Sequence, residues 1–395
     1  MSHQDQYAEH RIVVLGAGYT GMLAALRLAR RTRRADVRVT LVNPSDRFTE
    51  RLRLHQLAAG QELADHRIPD LLAGTGVAFV RGTATALDTA ARTVTVDGGA
   101  AVLPYDTLVY ALGSGPDTSR VPGADAHAHT LGGRDAALAL AGRLRALAAA
   151  GAGTVAVCGA GLTGVEAATE IAETYPALTV TLIGTGEPGA VMGERARAHL
   201  RRALDRLGVR VRTGAAVTKV LPDGVELATG EVVPAGVCLW TTGVRAPRLA
   251  ADAGIEVDDG GRIVTDRTLR SVSHPEVYAV GDAAAVRMPW GPLHGTCQSG
   301  MPTAQYVADT VARRLRGKPV GPFRFGYVHQ PVSLGRHDAV IQFTHPDDTP
   351  RRAYLKGRAA VLYKETVSSS PVPAYRLIKR ADVSVSLSKG GRATR

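Results

Sequence analysis

Two six-residue turns, Gly16-Ala17-Gly18-Tyr19-Thr20-Gly21 and Gly159-Ala160-Gly161-Leu162-Thr163-Gly164, repeat one glycine spacing within a single chain. Each follows a β-branched run, HRIVVL or TVAVC, and opens a stretch of helical period. That order suits a strand turning sharply into a helix. The first glycine permits the turn, the second lets a pyrophosphate approach the backbone, and the third lets the helix pack on the strand. The helix N-terminus then faces the phosphates with its partial positive charge. Two complete copies predict two nucleotide sites.

A second strand follows each copy, at Val37–Asn43 and at 178–184, which completes two βαβ units of an α/β, doubly wound architecture. Between the units, residues 77–112 alternate like antiparallel strands and end in an apolar strand at 108–112. After the second unit come a helix, a strand and a hairpin, then strand character over 254–282 and a smaller β-rich piece beyond Gly321. The tail from Ser368, with Pro371, Pro373, Arg376, Lys379, Arg380 and Lys389, reads as loosely packed and basic. The uncharged stretch 146–165 approaches the length of a membrane span, but Gly151, Gly153, Gly159, Gly161 and Gly164 divide it into a helix end, a short strand and a turn.

Composition narrows the class. The 395 residues correspond to two or three domains, and 45% hydrophobic with 21% charged residues excludes global disorder or a fibrous repeat. The net charge, 48 − 36 = +12, would suit an anionic partner. However, lysine stands only at Lys219, Lys318, Lys356, Lys364, Lys379 and Lys389 in an arginine-, alanine- and glycine-rich chain, so the charge reads as compositional and no specific nucleic acid is expected. Cys158, Cys238 and Cys297 are odd in number and form no CxxC, which argues against a disulfide framework, and no metal site is expected. The polar start MSHQDQYAEHR lacks the apolar core of an export signal, so a cytoplasmic place is expected.

At the end of each second strand an acidic side chain ordinarily holds the ribose hydroxyls. Here Asn43 and Gly184 stand instead. Arg195 and Arg197 follow within reach of a 2′-phosphate, and Glu187 is a displaced ribose ligand, which leaves NADH and NADPH both open with a slight lean to NADPH.

Two further signatures sharpen the reading. Glu276-Val277-Tyr278-Ala279-Val280-Gly281-Asp282 ends in a Gly-Asp pair, and Tyr110-Ala111-Leu112-Gly113-Ser114 closes an earlier strand. With the two glycine turns, in this order, the chain resembles the two-dinucleotide-binding-domain flavoproteins of the pyridine nucleotide-disulfide oxidoreductase superfamily over roughly 11–317. Thr163-Gly164-Val165-Glu166 and Leu239-Trp240-Thr241-Thr242-Gly243-Val244-Arg245-Ala246 are similar to the type II NADH:quinone dehydrogenase branch. The resemblance implies two Rossmann-like domains, for FAD and NAD(P), and a small C-terminal β-rich α+β domain. Residues 1–116 and 254–320 would form the FAD-binding domain, 117–253 the NAD(P)-binding domain, and 321–395 the C-terminal domain.

The resemblance also implies site residues. Gly16, Gly18, Gly21, Asn43, Arg51, Ala84, Ala111, Gly113, Gly281 and Asp282 would contact FAD, with Asp282 on the ribityl chain. Gly159, Gly161, Thr163, Gly164 and Gly243 would contact the nicotinamide cosubstrate. Glu166 would sit between nicotinamide and flavin, orienting the first or relaying a proton. Thr296-Cys297-Gln298 would open a helix aimed at the flavin pyrimidine, with Gln298 a ligand of both the flavin and the acceptor pocket and, with Glu166, a catalytic residue.

The chain departs from this pattern at Pro302-Thr303-Ala304, where the family carries a glutamine-rich quinone signature. It also lacks an apolar helical face after Ser368, so at most weak peripheral contact with the inner membrane face is expected. Glu50, Arg51 and His55 are expected on a solvated helix face, and no cysteine pair follows Asn43, which excludes disulfide reduction. The implied activity is hydride transfer from NAD(P)H through flavin to a quinone or quinone-like small molecule. Left open are a redox step on a specialised metabolite, electron supply to a partner redox protein, a flavin-bound redox sensor with nucleic-acid contacts, and a homodimer.

Overall fold

The computed structural model describes residues 9–394; the polar start, on which the expectation about export rests, lies mostly outside them. The first β-branched run forms His10–Leu15, its glycine turn starts the helix Tyr19–Thr32, and the next strand is Val37–Asn43. These join a five-stranded parallel sheet in the order Val277–Ala279, Thr107–Tyr110, His10–Leu15, Val37–Asn43, Ala78–Arg81. A second parallel sheet repeats the scheme in the order Ala128–Thr130, Val237–Trp240, Gly153–Cys158, Leu178–Ile183, Arg210–Arg212, with the helix Leu162–Thr174 after its glycine turn.

The correspondence reaches single hydrogen bonds. Gly16 N donates to Val42 O and Gly159 N to Ile183 O, both at 2.8 Å; Ala111 N donates to Leu15 O and Thr241 N to Cys158 O, both at 2.9 Å. Strands buried on both faces are continuous apolar runs, as parallel sheets require: Ile12 to Leu15 and Val155 to Cys158 are all buried. No helix among the described residues is long and apolar enough to cross a membrane.

Beyond Gly321 the antiparallel strands His329–Ser333, Ala339–Thr344 and Pro350–Lys356 pair in sequence and pack against the helix Gly357–Ser369. The expectation of a loose tail is corrected here. Residues Pro371–Ile378 form a helix with proline in its first turn, where the missing N–H costs nothing. Its Val372, Tyr375 and Ile378 are buried, and the Tyr375 hydroxyl donates to Tyr19 O at 2.9 Å. The segment beyond is tied back by Arg27, which makes paired 2.9 Å bonds to Asp309 and donates to Val383 O at 2.8 Å.

Candidate functional site

At the first turn the three glycines are held for different reasons. Gly16 has φ +93, and a methyl group there would come 2.6 Å from Ala111 O; one on Gly21 would come 1.7 Å from Gly16 O. Ala111 therefore belongs to the packing of the turn. Gly18 is the reverse: nothing lies within 4 Å of where its Cβ would be, so this backbone faces open space at the helix N-terminus. Asn43 braces the turn from below, accepting from Ala17 N at 2.9 Å and donating to Ser45 O at 2.7 Å.

Gly281, at φ +64, packs on Thr20 and donates its N–H to Thr303 Oγ1 at 2.9 Å. Thr303 is one of the residues that replace the expected glutamine signature, and here it secures the Gly-Asp turn. Asp282 accepts from Ser114 Oγ at 3.0 Å and, with Gly281, His294, Ser299 and Gly300, lines a cavity of about 290 Å³. The helix Cys297–Arg314 begins at this wall behind a Thr296–Ser299 capping box. Arg51 donates to Ser114 O at 2.9 Å, Gly113 takes φ +66 beside it, and Ala84 starts the neighbouring hairpin strand.

The second turn reproduces the first. A methyl on Gly159 (φ +124) would come 2.6 Å from Thr241 Oγ1 and one on Gly164 1.8 Å from Gly159 O, whereas Gly161 is open. Thr163 lies exposed in the first helical turn, and Gly243 takes φ +74 against Asp117. Gly184 packs so tightly on Ala160 that a Cβ would lie 2.6 Å from the alanine methyl, so no larger side chain fits there undisturbed. Glu187 is paired with Arg201 at 2.9 Å, and Arg195 and Arg197 lie near the start of the helix Glu194–Arg206.

Glu166 is where three parts of the chain meet. It is 9% exposed, and its Oε1 accepts from Lys364 Nζ at 2.6 Å and from Ser333 N at 3.0 Å. Its Oε2 lies 3.9 Å from Nδ1 of His55, on the short helix Leu54–Ala58. Burial opposes the Glu166 charge, but the Lys364 ammonium, with smaller help from His55 and the Ser333 N–H, outweighs it and holds the carboxyl below its ordinary range. Burial pushes His55 down to about 4, so the imidazole is neutral at pH 7. Glu365 adds an outer layer, accepting from Arg53 at 2.5 Å and Arg336 at 3.2 Å. The expected solvated face at 50–55 is thereby corrected: Glu50 and His55 are buried, and of the three only Arg51 is exposed. Gln298 donates to His329 O at 2.7 Å and accepts from Val328 N at 2.8 Å, so both ends of its amide pin the helix Cys297–Arg314 to the first C-terminal strand.

A family model described as pyridine nucleotide-disulphide oxidoreductase matches residues 10–308. The chain belongs to this family. It is 34% identical to an NADH dehydrogenase-like protein of Mycobacterium tuberculosis over 91% of this chain and 93% of that one. It is 31% identical to the type II NADH:quinone oxidoreductase Ndh of the same species, over 84% and 79%. Its fold is similar to that of the sulfide:quinone oxidoreductase of Aquifex aeolicus, with a TM-score of 0.79 and 21% identity over 94% and 93%. The protein is thus an oxidoreductase related to type II NADH:quinone dehydrogenases, and membership of the family implies binding of FAD and NAD(P)H.

The residues of this pyridine nucleotide oxidoreductase fit both groups. In each turn the outer glycines are closed by neighbouring backbone or, at Gly159, by Thr241, and the middle one is open where a pyrophosphate would lie. All three cysteines are free thiols, Cys158 and Cys238 buried and Cys297 partly so. Cys158 and Cys238, on adjacent strands, place their sulfurs 3.7 Å apart in the core of the second sheet, a contact their separation in sequence conceals. The bond from Cys238, with burial, raises the Cys158 thiol, and burial pushes Cys297 up to about 12. Neither presents a thiolate at neutral pH.

Lys364 and Ser333 are the site residues that sequence reasoning missed. One signal was available: Ala360, Lys364 and Ser368 form a stripe at i, i+4 and i+8, all buried on one face of their helix. A lysine in such a stripe needs a buried carboxylate as partner.

Proposed function

We propose that this chain takes hydride from NAD(P)H and delivers the two electrons to a quinone or quinone-like small molecule, which also takes one proton from the medium. When bound, FAD supplies the two-electron carrier between the substrates. The single observation that carries the reading is the buried Glu166–Lys364 pair on the helix of the second glycine turn. There a carboxylate and an ammonium are held together where nucleotide helix, His55 and C-terminal segment converge.

In this reading 1–116 and 254–320 hold FAD, 117–253 holds the nicotinamide cosubstrate, and 321–395 closes the acceptor side. Gly18 and Gly161 give the phosphates room, and Asp282, oriented by Ser114, takes the ribityl hydroxyls. Glu166 and Lys364 orient the nicotinamide and hold a proton near the acceptor, while hydride transfer itself rests on alignment. Gln298 acts by fixing the wall on which acceptor and flavin meet. The pairing of Glu187 with Arg201 and the closed position at Gly184 support use of either nicotinamide.

The test is anaerobic reduction of the purified yellow protein by NADH and by NADPH, followed by reoxidation with menadione, oxygen and candidate metabolites. Bleaching by either nicotinamide and rapid recovery with the quinone are expected. A colourless protein that stays so after incubation with FAD, or one that ignores both nicotinamides, overturns the reading.

A further inference from the structure

Glu170 lies one helical turn beyond Glu166, is 0% exposed, and has no part in the reaction as described. Its Oε1 accepts from the Gln61 amide and lies 3.8 Å from Arg336 Nε; its Oε2 is buried without any hydrogen-bond partner. Gln61 faces it from the turn after the helix Leu54–Ala58, Arg336 from the turn between the first two C-terminal strands, and Glu166 and Glu173 from its own helix. His55, Lys364 and Glu365 complete the charged surroundings of Glu166 next to it. Towards solvent the column ends at Glu173, which accepts from Arg336 N, and at the one-third-exposed Arg336 side chain.

Reduction of a quinone by NAD(P)H needs a proton as well as a hydride. The nicotinamide C–H bond breaks and its electron pair reduces the quinone. The two O–H bonds of the quinol then take one hydrogen from the hydride and one from the medium. We propose, on the strength of the function read above, that Glu170 is the relay residue for that second hydrogen, passing a proton to the Glu166, His55 and Lys364 group and being reprotonated from the Glu173 and Arg336 edge. Its chemistry suits the task. Burial, only partly offset by Arg336 and Gln61, pushes its carboxyl up to about 7, so near neutrality it both holds and releases a proton.

The experiment uses the flavin-loaded protein and separates the half-reactions by stopped flow between about pH 5.5 and 8.5. Wild-type reoxidation by menadione should fall as pH rises through an inflection near 7. Glu170→Gln should be reduced by NADH normally, be reoxidised on the order of a hundredfold more slowly, and lose the inflection. Glu170→Asp should restore the inflection.

Wild-type reoxidation in Glu170→Gln, or slowed reoxidation that keeps the inflection, overturns the relay. Should Glu170→Gln not fold, Gln61→Leu reads the same group. Losing the amide that favours the carboxylate should move the inflection upward, and an unmoved inflection overturns the proposal. Failure of the wild type to be reduced by either nicotinamide shows instead at the first half-reaction, and sinks the reading beneath.

Discussion

Replacing Lys364 by methionine keeps most of the side-chain volume and removes the ammonium 2.6 Å from Glu166. The carboxylate retains Ser333 N–H and loses its one cation within bonding distance, in a site where both side chains are about nine-tenths buried. Breaking a buried pair this way costs about 3–5 kcal/mol if the remaining charge persists. The charge can escape that cost by taking up a proton. In the wild type the Glu166 carboxyl is depressed, so its stabilising contribution is present above its unfolded pKa and lost as pH falls.

In Lys364→Met, burial is no longer outweighed, and the carboxyl rises above its unfolded value. Stability is then fully present at acid pH and lost as pH rises through the new value. The gap between the two proteins should be small near pH 5 and widen with pH by up to about 1.4 kcal/mol per unit, the slope for one proton. Urea unfolding followed by fluorescence at several pH values measures this. Lys364→Met combined with Glu166→Gln should recover most of the loss at pH 7.5, because the orphaned charge is gone. A gap that does not change with pH, or a double variant no more stable than the single one, would refute the claim that Lys364 serves to hold Glu166 ionised.

A Cβ at Gly161 meets no neighbour, so Gly161→Ala should fold, keep its flavin and bind NADH weakly by equilibrium titration; Gly159→Val, with φ +124 and a 2.6 Å approach to Thr241, should fail to fold. Arg27→Met strips Asp309 of its paired bonds and frees Val383 O, while Arg31 still holds Asp309 and Asp382, each at 2.8 Å. It should cost about 1.5–3 kcal/mol, the loss of charge-assisted hydrogen bonds, and expose the segment after Ile378 to limited proteolysis; a protease-resistant variant of wild-type stability would contradict the tethering.

What could be read from sequence was local. A glycine turn declares itself because φ and close approach are properties of a few neighbouring residues, and a parallel strand declares itself as an apolar run. Hence Val37–Asn43 stands where the sequence indicates, and the strand indicated at 178–184 differs by one residue at its end, at Leu178–Ile183. The tail helix was misread as loose, although proline at its start and the spacing of Val372, Tyr375 and Ile378 carry it. Prolines and surface charge masked that period. The completed site was not local. Glu166, His55, Ser333 and Lys364 lie in four separate segments, and pairing a lone lysine with one carboxylate among many requires knowing which faces the fold buries together. The sulfur contact between Cys158 and Cys238 was hidden likewise, since it depends on the register of strands Gly153–Cys158 and Val237–Trp240.

Charge counting across this junction explains why its carboxyls differ. Glu166, Glu170, Glu173 and Glu365 face Lys364, Arg336 and Arg53, while burial keeps His55 neutral, which leaves four acids against three cations. A buried cluster cannot carry an unmatched charge cheaply, so one acid must hold a proton. Glu166 has the ammonium at 2.6 Å, Glu365 has two guanidinium contacts, and Glu173 reaches the outer edge with the Arg336 N–H. Glu170 has only an amide and an arginine at 3.8 Å, so the proton settles there. Once that proton has passed through the Glu166 group to the quinol, the cluster holds one negative charge in excess, and that excess draws the next proton from solvent. The same imbalance that singles out Glu170 therefore drives its reprotonation after each turnover.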